Sequence, residues 1–341
     1  MRGLAAGWGV LWTVTLGAAA PAAAATTVHI LDAFGTPGSV AVRGRVLMDP
    51  PAMKADRRRG PLGNLKDTLD AMESDEVPNA AVSVVLAGET RKALTDAEGI
   101  FEVEFTPQAL LPGTHAVAAT VDGPAPHVGA HGTGQAFVFP DGPGVLIVSD
   151  VDDTVVQTNI RSKRRLVDTV LFKNASQLEQ VPGAAAAYQA AVKAGASGVV
   201  YLSGSPINFA PRIRAFFGQA GLPDGPLLLK DFGADNPLKQ EGYKRRRLLA
   251  LLKKVPGLTV ILVGDSGEKD PEIYRALQQE FPGRVGGIVI RQSPQAPAAP
   301  ARLTGCTVVN HYAEQPDVLA SKVRALRAAQ ARDAPPPQQS L

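Results

Sequence analysis

Residues 145 to 148 read Val-Leu-Ile-Val, an apolar run with no polar residue in it, and the run stops at Ser149 and Asp150. A strand with one wet face alternates, so an unbroken run predicts a strand buried on both faces, the kind that builds parallel sheets covered by helices. Similar runs return at 199–202 (VVYL), 260–263 (VILV) and 288–290 (IVI), and TVV at 307–309 is a candidate last strand. Helical patterns separate them. VPGAAAAYQAAVKAGAS places Pro182 near a helix start and Gly195 as its carboxyl-terminal cap, and FAPRIRAFFGQAG puts Ile213, Phe216, Phe217 and Ala220 on one stripe. YKRRRLLALLKKVPG and DPEIYRALQQEFPG repeat the pattern. Five strands alternating with helices predict a doubly wound α/β domain over residues 141–312.

The chain ahead of that domain reads differently. VAVRGRVL, NAAVSVVLAG, GIFEVEF and QAFVFP alternate between faces and are separated by Gly and Pro turns, as half-buried antiparallel strands do. Residues 26–140 are therefore expected to form a small all-β, sandwich-like domain, with a charged loop and a short helix after Pro50 and Pro51. A chain of 341 residues with 45% hydrophobic content can bury both cores. Residues 1–25 carry Arg2, an uncharged stretch rich in Leu, Trp and Ala, and small residues at a cut after Ala24 or Ala25. That is the pattern of a secretory signal peptide, with an amino-terminal membrane anchor as its rival, and it predicts a periplasmic or secreted protein. Residues 313–341 are expected to form a terminal helix and a frayed Pro-rich tail. Cys306 is the one cysteine, so no internal disulfide can form and a buried structural thiol is expected.

In open α/β sheets, ligands gather beyond the carboxyl ends of the strands. Three polar clusters follow predicted strands: Ser149 to Thr154 (SDVDDT), Ser203-Gly204-Ser205, and Gly264 to Asp270 (GDSGEKD). A parallel sheet would bring them to one edge. Carboxylates that close repel and lose hydration, so a hard divalent cation such as Mg²⁺ is the expected compensation. His127 and His131 stand four apart in a Gly- and Pro-rich stretch without a third ligand nearby, and an ordinary exposed loop is expected there.

In this order the clusters resemble those of the haloacid dehalogenase-like superfamily of phosphohydrolases. LIVSDVDDTVVQT, YLSGSPINFAPRIRAFF and ILVGDSGEKDPEIYRALQQEFPGRVGGIVIR are similar to the catalytic domain of the actin-patch phosphatidate phosphatase family, over about residues 141–312. The resemblance implies a haloacid dehalogenase-like (Rossmannoid) parallel-sheet domain behind the small β domain. It also implies roles. Asp150 would be the nucleophile that becomes an aspartyl phosphate, and Asp152 the acid that protonates the leaving oxygen and then the base that activates water. Ser203 would hold a phosphoryl oxygen. A Lys ahead of the third catalytic strand would hold the phosphate, where Lys244 fits and Lys230 competes. Asp150, the backbone at Asp152, Asp265 and Asp270 would bind the metal, although Asp270 precedes Pro271 and equally fits a helix cap. Asp153 stands where many superfamily members have Gly, and a turn-capping carboxylate and a supporting role at the site are both open. Glu268 is read as a loop residue or as one that supports the site from behind its direct ligands.

The expected activity is a Mg²⁺-dependent phosphomonoester hydrolase, and the resemblance narrows the substrate to phosphatidic acid, giving diacylglycerol and phosphate. A phosphatase of a soluble exported metabolite or phosphoprotein, and a non-catalytic module binding metal and phosphate, are the alternatives. Too few residues separate Asp153 from the second strand for a large cap, so the site should be open to a bulky substrate. SKRRLVDTVLFKN, at 162–174, is the best candidate for a lip making transient membrane-surface contact. A net charge of +3, with basic runs dispersed along the chain, excludes nucleic acid as the expected partner.

Overall fold

The computed structural model describes residues 25–48, 58, 60, 63–64, 75–108, 110–157, 174–231, 240–294 and 300–333. The signal peptide or anchor over 1–25, the lip at 162–174, most of the loop after Pro50 and the Pro-rich end of the tail fall almost wholly outside the described residues.

Period-two alternation in the first part of the chain produces an eight-stranded sheet: β1 (Thr26–Thr36), β2 (Ser39–Met48), β3 (Asp75–Glu76), β4 (Ala81–Leu86), β5 (Glu89–Leu94), β6 (Ile100–Phe105), β7 (Gly113–Gly123) and β8 (His131–Val138). Its order is β3-β2-β1-β8-β7-β4-β5, with β6 also paired to β2. Every pairing is antiparallel except β1 with β8. The sheet curls into a half-barrel, an architecture broadly consistent with the expected sandwich-like domain. Val40, Val42, Val82, Val84, Phe105 and Val117, from four strands, share its buried interior. Alternation reveals which face of a strand is buried but not which sheet covers it, so a sandwich and a curled sheet read alike.

The unbroken apolar runs become a six-stranded, all-parallel sheet. In chain order its elements are β9 (Gly144–Asp150), the short antiparallel pair β10 (Val156–Gln157) and β11 (Glu179–Gln180), α1 (Ala184–Lys193), β12 (Gly198–Pro206) and α2 (Ala210–Ala220). Then follow β13 (Leu227–Lys230), α3 (Gln240–Lys254), β14 (Leu258–Asp265), α4 (Asp270–Glu280), β15 (Val285–Arg291), β16 (Thr307–Val309) and α5 (Val318–Asp333). The sixth strand, β13, was not among the predicted five; a four-residue run, LLLK, is too short for periodicity to mark it. Val145 and Ile147 of β9 join a core with α1, α2 and α5, whereas Leu146 and Val148 join one with α3 and α4. Both faces are covered, which is why the strand sequences do not alternate. Gly195, just past α1, has φ 99°, a left-handed conformation that a side chain would strain.

The strand order is β13-β12-β9-β14-β15-β16. The chain starts at β9, steps outward through β12 to β13, and crosses back to β14 on the other side of β9. That reversal opens a crevice beyond the carboxyl ends of β9 and β14. The half-barrel leans on the β13 edge. Phe34, Phe137 and Phe139 enter the α3–α4 core, and Leu31 enters the core around α2. Arg43 forms a buried ion pair with Asp231, and Arg214 Nη2 donates to the Leu31 carbonyl at 3.1 Å. Burial pushes the Asp32 carboxyl up from its usual range, while Arg43, Arg247 and Arg214 pull it back.

Ile147 is fully buried at the centre of the parallel sheet. Ile147→Ala is expected to lower unfolding free energy by about 2–5 kcal/mol, measured by urea denaturation.

Candidate active site

The crevice is lined by the ends of three elements: β9 stops at Asp150, β14 stops at Asp265, and α4 starts at Asp270. All three residues are buried, and one carboxylate oxygen from each lies within 4.8 Å of the others. Asp265 Oδ2 accepts the backbone N–H of Gly267, while Asp265 Oδ1 is buried with no hydrogen-bond partner. Asp270 Oδ1 accepts from Lys244 Nζ at 2.8 Å, and Oδ2 accepts the Asp265 N–H at 3.3 Å. The Asp270 carboxylate therefore faces the strand end and the lysine, and it does not cap its own helix. This close approach requires a glycine at 264: a Cβ there would lie 2.3 Å from Asp270 Oδ2.

Lys244, on α3, reaches into the middle of the acids. Its Nζ lies 2.7 Å from Asp150 Oδ1 and 2.7 Å from Glu268 Oε2. Lys230 ends β13 with its Nζ 5.9 Å over the Tyr243 ring, so it is Lys244 that joins the acid cluster. Thr154 Oγ1 donates to Asp150 Oδ2 at 3.2 Å. Asp152 is half-buried, and its Oδ2 accepts from Ser203 Oγ at 3.0 Å; that Oγ in turn accepts the Ser205 N–H at 3.0 Å. The three sequence clusters thus meet at one sheet edge.

Asp153 has a structural part to play. Its φ is 52°, in the left-handed region that Asp enters more readily than most residues. Arg291 Nη1, from the end of β15, donates to the Asp153 carbonyl at 2.7 Å and holds the turn.

Asp150, Asp152, Asp265, Glu268 and Asp270 surround the one Lys244 ammonium. The imbalance shows in the four aspartates, all of which are pushed up. Burial, with the neighbouring negative charges, pushes Asp150 well above the usual range and Asp270 up, against the pull of Lys244. Burial and then Asp270 push Asp265 up to about 8, and burial and then Glu268 push Asp152 up to about 6. Burial alone would lower Lys244, but Asp150, Asp270 and Glu268 hold its ammonium well above its usual value. Glu268 is held below its usual range by Lys244. A site with this excess of negative charge and an all-oxygen donor set can coordinate a divalent cation. Among the described residues the acid trio is the one such group of three, and His127 instead shares a hydrogen bond with Thr26.

Of two further contributors, the sequence leaves Glu268 open between a loop and a supporting role, and Arg212 escapes it. Glu268 is a direct partner of Lys244. Arg212 is buried on α2 and electrostatically coupled to Asp152; burial lowers its guanidinium to about 10, with the Asp152 charge opposing. The only signal for Arg212 is a charge set between the apolar positions of a helix stripe.

Residues 145–292 match the family described as Phosphatidate phosphatase APP1, catalytic domain. Phosphatidate phosphatase APP1 of Saccharomyces cerevisiae is 27% identical over 247 residues, covering 67% of this chain and 40% of that protein. An uncharacterized protein of Schizosaccharomyces pombe is 28% identical over 155 residues, covering 44% of this chain and 26% of that one. The chain spans less than half the length of these curated relatives. Among solved structures, the CARDB domain of PF1109 from Pyrococcus furiosus covers 38% of this chain and 99% of its own, at 16% identity and a TM-score of 0.20, too distant to carry an argument. The family match and the buried acid cluster together support a phosphatase-like hydrolytic role for the parallel-sheet unit.

Gly264→Ala places a methyl group against the Asp270 carboxylate. The variant is expected to bind Mg²⁺ at least about tenfold more weakly, since a displaced ligand oxygen costs on that scale, while its circular dichroism spectrum stays that of the parent; calorimetric titration reads the loss.

Proposed function

We propose that this chain is a Mg²⁺-dependent phosphohydrolase that removes the phosphate monoester of a phosphorylated lipid of the phosphatidate kind through an aspartyl-phosphate intermediate. The observation that carries the reading is the convergence of Asp150, Asp265 and Asp270 on Lys244 at the switch point of the sheet. The residues fit the cation: three buried carboxylates lie within reach of one another, and Asp265 Oδ1 is a buried acceptor without a partner. Asp150, Asp265, Asp270 and the backbone carbonyl of Asp152 would hold it. When bound, Mg²⁺ supplies Lewis-acid withdrawal of charge from the phosphoryl oxygens.

The chain's own residues do the rest. A carboxylate oxygen of Asp150 attacks phosphorus as the bond from phosphorus to the ester oxygen breaks. Lys244, already on Asp150, neutralises charge on the phosphoryl oxygens and on the attacking carboxylate. Asp152 passes its proton to the departing alcohol oxygen. It then takes a proton from the water that attacks phosphorus, the bond to Asp150 breaks, and inorganic phosphate leaves. A carboxyl near 6 can serve both as acid and as base close to neutrality, which supports giving this part to Asp152. Ser203, which donates to Asp152 here, is placed to turn its hydroxyl onto a phosphoryl oxygen. Among the described residues no helix is long and apolar enough to cross a membrane. A lipid substrate would therefore be met by the described parts at the bilayer surface.

Asp150→Asn keeps the shape of the side chain and removes the nucleophile. It is expected to lower phosphate release from phosphatidic acid vesicles and from phenyl phosphate by at least about a thousandfold, and chelation should silence the parent until Mg²⁺ is returned. A folded variant with the parental rate would sink the mechanism. Vesicles turned over no better than sugar phosphates would remove the lipid assignment and leave the reaction class standing.

A further inference from the structure

A cavity of about 220 Å³ lies where the half-barrel meets the parallel-sheet unit. Ile30, Leu31 and Leu47 form the half-barrel wall, and Ile207, Ala210 and Pro211 form the facing wall. The polar groups along it are already engaged. Arg45 donates to the Glu98 carbonyl, to Asn208 Oδ1 and to Glu76, while Arg214 donates to the Leu31 carbonyl and His29 shares a hydrogen bond with Thr27. What remains for a ligand is aliphatic surface. Pockets for drug-sized ligands run about 300–1,000 Å³, so a cavity this small suits a segment of alkyl chain, not a whole lipid.

The cavity is tied to the site by sequence and by helix geometry. Ile207 and Asn208 directly follow the end of β12, whose Ser203 bonds Asp152. On the same first turn of α2, Pro211 lines the cavity while its neighbour Arg212 is coupled to Asp152. A ligand with a phosphate at the acid cluster and a chain attached would thus be led toward this cavity along the segment from Ser203 to Asn208.

We infer that this interdomain cavity is the binding site for the alkyl chain of an amphiphilic phosphate, with the half-barrel supplying half of its wall. The inference rests on the phosphohydrolase reading only for the phosphate end of the ligand.

Alkylphosphonates test it without turnover, because a carbon–phosphorus bond replaces the ester link. With the full chain and Mg²⁺, octylphosphonate below its micelle concentration is expected to bind at least about thirtyfold more tightly than methylphosphonate, each fully buried methylene being worth about fourfold. Its binding should also show the more negative heat-capacity change. Leu47→Trp fills the cavity from the half-barrel side and is expected to cost octylphosphonate at least about tenfold while leaving methylphosphonate within about twofold. If that variant does not fold, the chain-length series on the parent and on Ile207→Ala, which removes apolar wall, decides the matter. Equal binding of the two phosphonates by the parent overturns the inference and leaves the hydrolase reading intact; so does a folded Leu47→Trp that weakens both alike. Octylphosphonate binding lost in Leu47→Trp, from a parent that neither binds methylphosphonate nor releases phosphate from any ester, keeps the cavity assignment and removes the hydrolase reading.

Discussion

A single ammonium, that of Lys244, stands against five carboxylates at the edge of the parallel sheet. Two unit charges about 4 Å apart interact by about 4 kcal/mol at an effective dielectric of 20. Repulsions on that scale must be met by something before the sheet edge can close, and a lysine from α3 meets part of them. The position of α3 is therefore tied to the chemistry as firmly as the strands are. Its apolar residues Leu248, Leu251 and Leu252 pack into the sheet and hold the helix in the register that sends Lys244 to the acids. The remaining negative charge is what gives the site its appetite for a cation.

Topology explains why these acids meet at all. Asp150 and Asp265 are more than a hundred residues apart in the chain, yet β9 and β14 are hydrogen-bonded neighbours that end side by side. The chain leaves β9 toward one edge and returns on its other side, so the crevice falls between strands that nothing local links. Gly264 then lets α4 start close enough for Asp270 to lean back on β14. Arg291 holds the turn after β9 from the end of β15, on the far side of β14, and Arg302 Nη2 donates to the Glu268 carbonyl at 2.6 Å, bracing the loop after β14. At this edge the carbonyls of Asp153, Ser266 and Glu268 accept from arginines outside the acid cluster.

What was legible in the sequence follows the range over which each signal acts. Unbroken apolar runs announced strands buried on both sides, and an Asp at the end of a run announced a sheet-edge site, because both are local patterns. β13 was missed because three leucines and a lysine carry no period. Glu268 stayed open between a loop and a supporting role because its partner comes from a helix 24 positions earlier. Asp153 stayed open between a turn-capping carboxylate and a supporting role until its left-handed backbone and the reach of Arg291 were visible. In the first part of the chain, alternation fixed inward and outward faces but could not reveal that β1 pairs in parallel with β8 and that one sheet curls on itself.

The lean of the half-barrel on β13 has a consequence for how the protein can be made. A terminal strand of a parallel sheet presents unpaired backbone groups and, once bare, is a template for another chain. Here β13 is shielded by a unit that emerges first in synthesis, with Phe34 and Phe137 waiting on its flank for the α3–α4 core. Until α3 and α4 are complete, those aromatic rings have no berth. The first unit thus guards the second against misassembly only after a period in which it is itself the sticky partner.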